Sequence, residues 1–128
     1  MLKIKLAAFL VISLVMVSFA SSADSTAKSV TMTDFKKEIK SGKPIIILDV
    51  RMPEELTGPF GKIDGAVNIP LQELESRIHE LDKYKGREIR VISRSGIPSK
   101  LAAEILRKHG FEAANVLGGM MAYRQGGQ

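Results

Sequence analysis

Between an apolar run that ends at Ile92 and an amphipathic segment that opens at Ser99, the sequence places Ser93, Arg94, Ser95, Gly96, Ile97 and Pro98. A loop of this composition, leading from a buried strand into a helix, gathers backbone N–H groups near the positive end of the helix dipole, which suits an anion. Arg94 and Lys100 could add positive charge, while Pro98 removes one N–H from the set. The chemistry expected here is an oxyanion cradle over Arg94, Ser95, Gly96, Ile97, Pro98 and Ser99, with Ser93 at its entrance. Asp49, near the end of an earlier apolar run, can accept from neighbouring loop N–H groups, and Arg51 could offer a planar fork to the same region. For both, a structural ion pair or turn lock is the plainer expectation.

A serine nucleophile needs a base within hydrogen-bond reach and a third group to orient it. The only histidines are His79 and His109. His109 closes the helix that Ser99 opens, which at about 1.5 Å per residue puts it roughly 15 Å from the loop. His79 sits beside Ile78 on a helix expected to turn it towards solvent. Neither serves Ser93, so serine hydrolysis is not expected. Two lone histidines without matching carboxylate spacing make no metal site, and no glycine-rich nucleotide fingerprint follows a first strand. The expectation is therefore no metal and no cofactor.

The elements that must position these residues alternate. Ser29 to Met32 reads as a short edge strand, and Thr33 as the N-cap of a helix over Asp34 to Lys40, with Phe35 and Ile39 on one face. Pro44 to Val50 reads as a strand buried on both faces. Residues 51 to 65 are mainly loop, with one helical turn around Pro53 to Leu56. Ala66 to Ile69 is a short strand, and Pro70 opens a helix carrying Leu71, Leu74, Ile78 and Leu81 at spacings of three and four. Ile89 to Ile92 is a strand, Ser99 to His109 a helix ended by Gly110, Asn115 to Leu117 a last strand, and Met120 to Tyr123 the start of a final short helix. This order predicts an α/β fold with a parallel central sheet of about five short strands flanked by helices on both faces. In such sheets ligands sit beyond the carboxyl ends of the strands, where both the Ser93 loop and the segment after Asp49 emerge.

The chain of 128 residues has room for one domain. Residues 1 to 23 read as a secretory signal peptide: Lys3 and Lys5 precede an apolar run from Leu6 to Ala20, short of the ~20 residues of a spanning helix, and small residues allow cleavage after Ala20 or Ala23. Residues 24 to 28 read as a disordered lead-in and 29 to 128 as the domain. The location expected is periplasmic or extracellular, with an uncleaved segment the one route to a membrane. Loss of Lys3 and Lys5 lowers the formal charge from +5 to +3, and no basic run interleaves with aromatics, so nucleic acid is not an expected partner. There is no cysteine, hence no disulfide, thiol or lipidation site, and a hydrophobic core must stabilise the domain unaided.

Four stretches in order resemble the rhodanese-like domains, sulfurtransferases that carry sulfur as a cysteine persulfide. Asp49, Val50 and Arg51, followed by Glu54 and Glu55, resemble that family's D-V-R with an acidic pair. Gly61 to Pro70, GKIDGAVNIP, resembles its G-H-I-x-G-A-x-N-I-P, with Lys62 for the common His. Ser93 to Ser99, SRSGIPS, resembles its C-R-S-G-x-R followed by Ser or Thr. Leu117, Gly118 and Gly119, with Tyr123 beyond, resemble its closing L-x-G-G and Trp. The resemblance implies the fold and a catalytic position at 93, where Ser stands for the family's cysteine, with Pro98 in the place of the second Arg. A serine hydroxyl ionises far above a thiol's ~8.5, so no persulfide forms at Ser93. Cysteine phosphatases and arsenate reductases share a loop of this length but need Cys and Arg at its two ends, and both are missing. Two readings follow: a non-catalytic rhodanese-like module that binds a small oxyanion (thiosulfate, sulfate or phosphate-like) or a protein partner through the Ser93 face, or a sulfurtransferase whose catalytic Cys has been replaced by Ser at 93.

Overall fold

The computed structural model describes residues 29–126. The signal peptide expected over 1 to 23 and the lead-in expected over 24 to 28 lie outside the described residues. The chain runs β1 (Ser29–Val30), α1 (Met32–Lys40), β2 (Ile46–Asp49), β3 (Val67–Asn68), α2 (Leu74–Arg77), β4 (Glu88–Ile92), α3 (Ile97–Lys108), β5 (Glu112–Val116) and α4 (Gly119–Gln125), with 3-10 turns at Pro53–Thr57, Leu71–Glu73 and Ile78–Tyr84. The five strands form one sheet in the order β1-β5-β4-β2-β3, and every neighbouring pair is parallel. The α/β architecture is thus the one the alternation predicts.

The sheet buries both faces because side chains alternate across it. Leu48, Val50, Ile89, Val91 and Ala113 face a core closed by Leu74, Leu81, Ala102, Ala103 and Leu106 from α2, the turn after it and α3. On the other face Ile92 and Val116 meet Phe35 of α1 and Met120 of α4. Phe35, Leu48, Val91, Leu106 and Met120 are fully buried.

Three local expectations are corrected. Thr31, not Thr33, caps α1: it leaves β1 with extended backbone, and its Oγ1 accepts from Asp34 N at 3.1 Å. The helix expected over Leu71 to Leu81 is a chain of 3-10, α and 3-10 turns. Its apolar residues include the pairs Leu71–Leu74, Ile78–Leu81 and Leu81–Tyr84, spaced by three, and three residues per turn keep such pairs on one face. The helix expected to open at Ser99 opens at Ile97, because Gly96 adopts left-handed backbone (φ 93°) and turns the chain into α3 two residues earlier. A Cβ at Gly96 would lie 2.9 Å from Gly118 N and 3.2 Å from Val116 O, so only glycine fits there.

Candidate functional site

The site lies at the carboxyl ends of β2 and β4, as parallel sheets dictate. A cleft of about 310 Å3 has Ser93, Arg94, Ser95 and Pro98 on one wall and Arg51, Met52 and Glu55 on the other. A neighbouring hollow of about 150 Å3 shares Arg51, Glu55 and Arg94 and adds Phe60, over whose ring the Arg94 guanidinium stands at 5.4 Å. Arg94 and Ser95 are exposed, whereas Ser93 is 2 % exposed. Lys100 lines a separate groove with Ser29, Glu104 and Asn115, so it does not supply charge to the cleft. The cleft also carries the Glu55 carboxylate, whose Oε2 accepts from Met52 N at 3.1 Å.

Beneath the cleft, the hydrogen bonds of Ser93 can be assigned one by one. Asn115 Nδ2 lies 3.0 Å from Gly96 O, which can only accept, and this orients the amide. Asn115 Oδ1 must then accept, and Ser99 Oγ donates its single proton to it at 2.6 Å. The 2.8 Å contact between the two hydroxyls therefore has Ser93 donating to Ser99. The remaining capacity of Ser93 Oγ takes the N–H groups of Gly96 at 3.0 Å and Ser99 at 3.3 Å. Its proton and both lone pairs are engaged inside the protein.

That census narrows the cradle. Gly96 and Ser99 amides serve Ser93 Oγ, the Ile97 amide reaches Ser95 Oγ at 3.4 Å, and Pro98 has none to give. The amides of Arg94 and Ser95 have no acceptor among the described residues. The loop thus brings two open amides to the cleft rather than the five that residues 94 to 99 carry.

Asp49 and Arg51 form a buried lock. Arg51 Nη2 meets Asp49 Oδ2 at 2.7 Å and Nε meets Oδ1 at 3.0 Å, with side chains 2 % and 1 % exposed. Asp49 Oδ1 also accepts from Arg51 N at 3.1 Å, while Nη2 and Nη1 donate to Gly61 O at 2.8 Å and Glu55 O at 3.3 Å. The fork therefore ties the loop over 52 to 61 to the end of β2 instead of pointing at a ligand. His79 is exposed, and His109 caps α3 with Nδ1 2.9 Å from Ile105 O, so neither reaches Ser93.

The model of the rhodanese-like domain matches residues 31–125. This chain belongs to the rhodanese-like family. A rhodanese-like chain of similar shape is the rhodanese-related protein of Thermoplasma volcanium, whose crystal structure superposes with a TM-score of 0.69 at 32% identity, covering 78% of this chain and 93% of that one. Bacillus subtilis strain 168 has YtwF, named as a candidate sulfurtransferase and 34% identical over 96 residues, which cover 75% of this chain and 89% of that protein. From the same organism YrkF, named as a candidate sulfur carrier protein, is 37% identical over 102 residues, and the match spans only 53% of its length. The thiosulfate sulfurtransferase PspE of Escherichia coli K12 is 34% identical over 73 residues, 57% of this chain and 68% of that protein.

Some parts of this rhodanese-like site are not evident from the loop alone. Asn115 reads as one residue of an apolar strand, yet it is 3 % exposed and joins Ser99 to Gly96. A lone Asn amid the buried run AANV is the signal that marks it, since a buried amide must find partners. The contribution of Gly118 to Met121, described below, is marked in the sequence only by a glycine pair.

Proposed function

We propose that this rhodanese-like domain is a non-catalytic binding module that holds a small oxyanion of the sulfate, thiosulfate or phosphate type against the Arg94 and Ser95 amides. The observation that carries the reading is the closed set of hydrogen bonds around Ser93. An attacking oxygen needs an open lone pair and a base to take its proton, and Ser93 has neither. What supports an anion as guest is the pair of open amides beside the Arg94 guanidinium, facing a cleft of the size of a small molecule. Glu55 opposes such a guest and keeps affinity low. The basic, apolar and small-residue succession over residues 1 to 23 supports export to the periplasm or the exterior as part of the same reading.

The alternative, a sulfurtransferase with Cys replaced by Ser at 93, is favoured by one specific observation. The Gly96 and Ser99 amides converge on the atom at position 93, as a thiolate would require. In that chemistry the thiolate takes the outer sulfur of thiosulfate and releases sulfite. Cyanide then removes the sulfur as thiocyanate and regenerates the thiolate. The two readings separate in one assay of thiocyanate formation from thiosulfate and cyanide. Under either reading the unsubstituted chain is expected to match a Ser93→Ala variant at background. Turnover by Ser93→Cys favours the sulfurtransferase reading, and a folded Ser93→Cys protein that stays at background favours the binding module. Thiocyanate formed by the unsubstituted chain and lost in Ser93→Ala would overturn the non-catalytic reading.

A further inference from the structure

The two peptide groups that present open amides to the cleft are the same two that α4 holds from behind. Met120 N donates to Ser93 O at 2.8 Å, and Met121 N donates to Arg94 O at 3.0 Å. There are no cis peptide bonds among the described residues. In a trans peptide the carbonyl and the following N–H point in opposite directions. A Ser93 carbonyl turned towards α4 therefore turns the Arg94 N–H away from it, and the Arg94 carbonyl does the same for the Ser95 N–H. The cleft lies on that far side: Ser93, Arg94 and Ser95 line it, and no residue of α4 does.

The approach depends on Gly119. This residue is buried, its φ is 57°, and a Cβ built on it would stand 2.4 Å from Ser93 O and 2.5 Å from Arg94 O. Both obstacles are backbone atoms of the loop, so neither can swing aside as a flexible side chain would. Any side chain at 119 must push α4 off the loop and break the two bonds that set the peptide planes.

We propose that the first turn of α4 is the device that aims the Arg94 and Ser95 amides into the cleft, with Gly119 as its positioning residue. The ligand part of this proposal rests on the oxyanion reading above, whereas the clamp itself does not. Other loop amides are fixed by Ser93 Oγ and Ser95 Oγ, so the clamp acts on the only two left for a guest. An anion bound there feels α4 through the loop without touching it.

Nuclear magnetic resonance on isotope-labelled protein tests both parts. Without ligand, scalar couplings through the hydrogen bonds Met120 N–Ser93 C′ and Met121 N–Arg94 C′ should be measurable, and their absence would overturn the clamp whether or not any variant folds. Sodium sulfate, titrated at constant ionic strength with chloride as the balance, should move the Arg94 and Ser95 amide resonances saturably. In Gly119→Ala both couplings should fade and the sulfate Kd should rise about tenfold, as for the loss of a hydrogen bond to a charged guest. A folded Gly119→Ala protein that binds sulfate with unchanged affinity and unchanged shifts at both amides would sink the proposal. Intact couplings in the unsubstituted protein with no response to sulfate or thiosulfate would remove the anion reading of the cleft and leave the clamp standing.

Discussion

At the scale of single residues, Ser93 behaves as the keystone of its loop. Its oxygen receives two helix-entry amides and its proton goes to Ser99, which passes the chain on to Asn115. Every buried side-chain N or O atom among the described residues has a partner. Removing the Ser93 hydroxyl leaves the Gly96 and Ser99 amides without an acceptor, and each orphaned group costs about 1–3 kcal/mol. Ser93→Ala is therefore expected to lower unfolding stability by roughly 2–4 kcal/mol in urea titrations. A change below ~0.5 kcal/mol would mean that water replaces the hydroxyl at no cost. The sequence made the loop legible, since its residue types and its place between strand and helix are local properties. It did not make legible which amides stay open, because that depends on Ser99, Asn115 and Gly119 folding back over the loop from 6 to 26 residues away.

At the scale of elements, a second network fixes α1 to the sheet far from the cleft. Arg90, between Ile89 and Val91 in the middle of β4, is 6 % exposed and meets Glu38 of α1 with Nε–Oε2 and Nη2–Oε1 distances of 2.8 Å. Glu88 joins at 3.3 Å, and Lys43 closes the group at 3.0 Å from Glu88 and 3.5 Å from Glu38. Hydrogen bonding to Arg90 holds the Glu38 carboxyl below the usual carboxylate range, against burial that pushes it up; Arg90 is raised by the same bond. Hydrogen bonding to Lys43 likewise lowers Glu88. Because the folded-state values lie below the unfolded ones, this stabilisation is fully present above the ordinary glutamate range. It is lost as pH falls through the depressed folded values. The urea midpoint is thus expected to drop as pH goes from about 6 to about 3, and to drop less in Glu38→Gln. Identical slopes in the two proteins would show that the network contributes nothing. Helix and strand existence followed from apolar spacing, whereas helix starts at Thr31 and Gly96 did not. Those starts are set by what the preceding turn can adopt, and Thr31 and Thr33, two residues apart, look alike as caps until β1 pairs with β5.

At the scale of the whole molecule, two apolar layers on either side of one parallel sheet carry the fold without any covalent cross-link, in keeping with a chain that has no cysteine. The parallel order was legible because buried strands and amphipathic segments alternate, and a parallel sheet is the arrangement that covers both faces. Three of the family's four stretches fall where that sheet would put a site: Asp49 and Ser93 at the ends of adjacent strands β2 and β4, Gly118 beyond β5. Strand order has a further consequence. The margins of the sheet are β1 and β3, each only two residues long, while the longer strands β4 and β5 lie inside. Among the described residues a neighbouring molecule meets no extended row of unsatisfied main-chain groups at the sheet margins on which to add a strand, and cross-β growth has no template there to copy. Concentrated solutions should therefore stay free of fibrils by electron microscopy for as long as the native sheet persists.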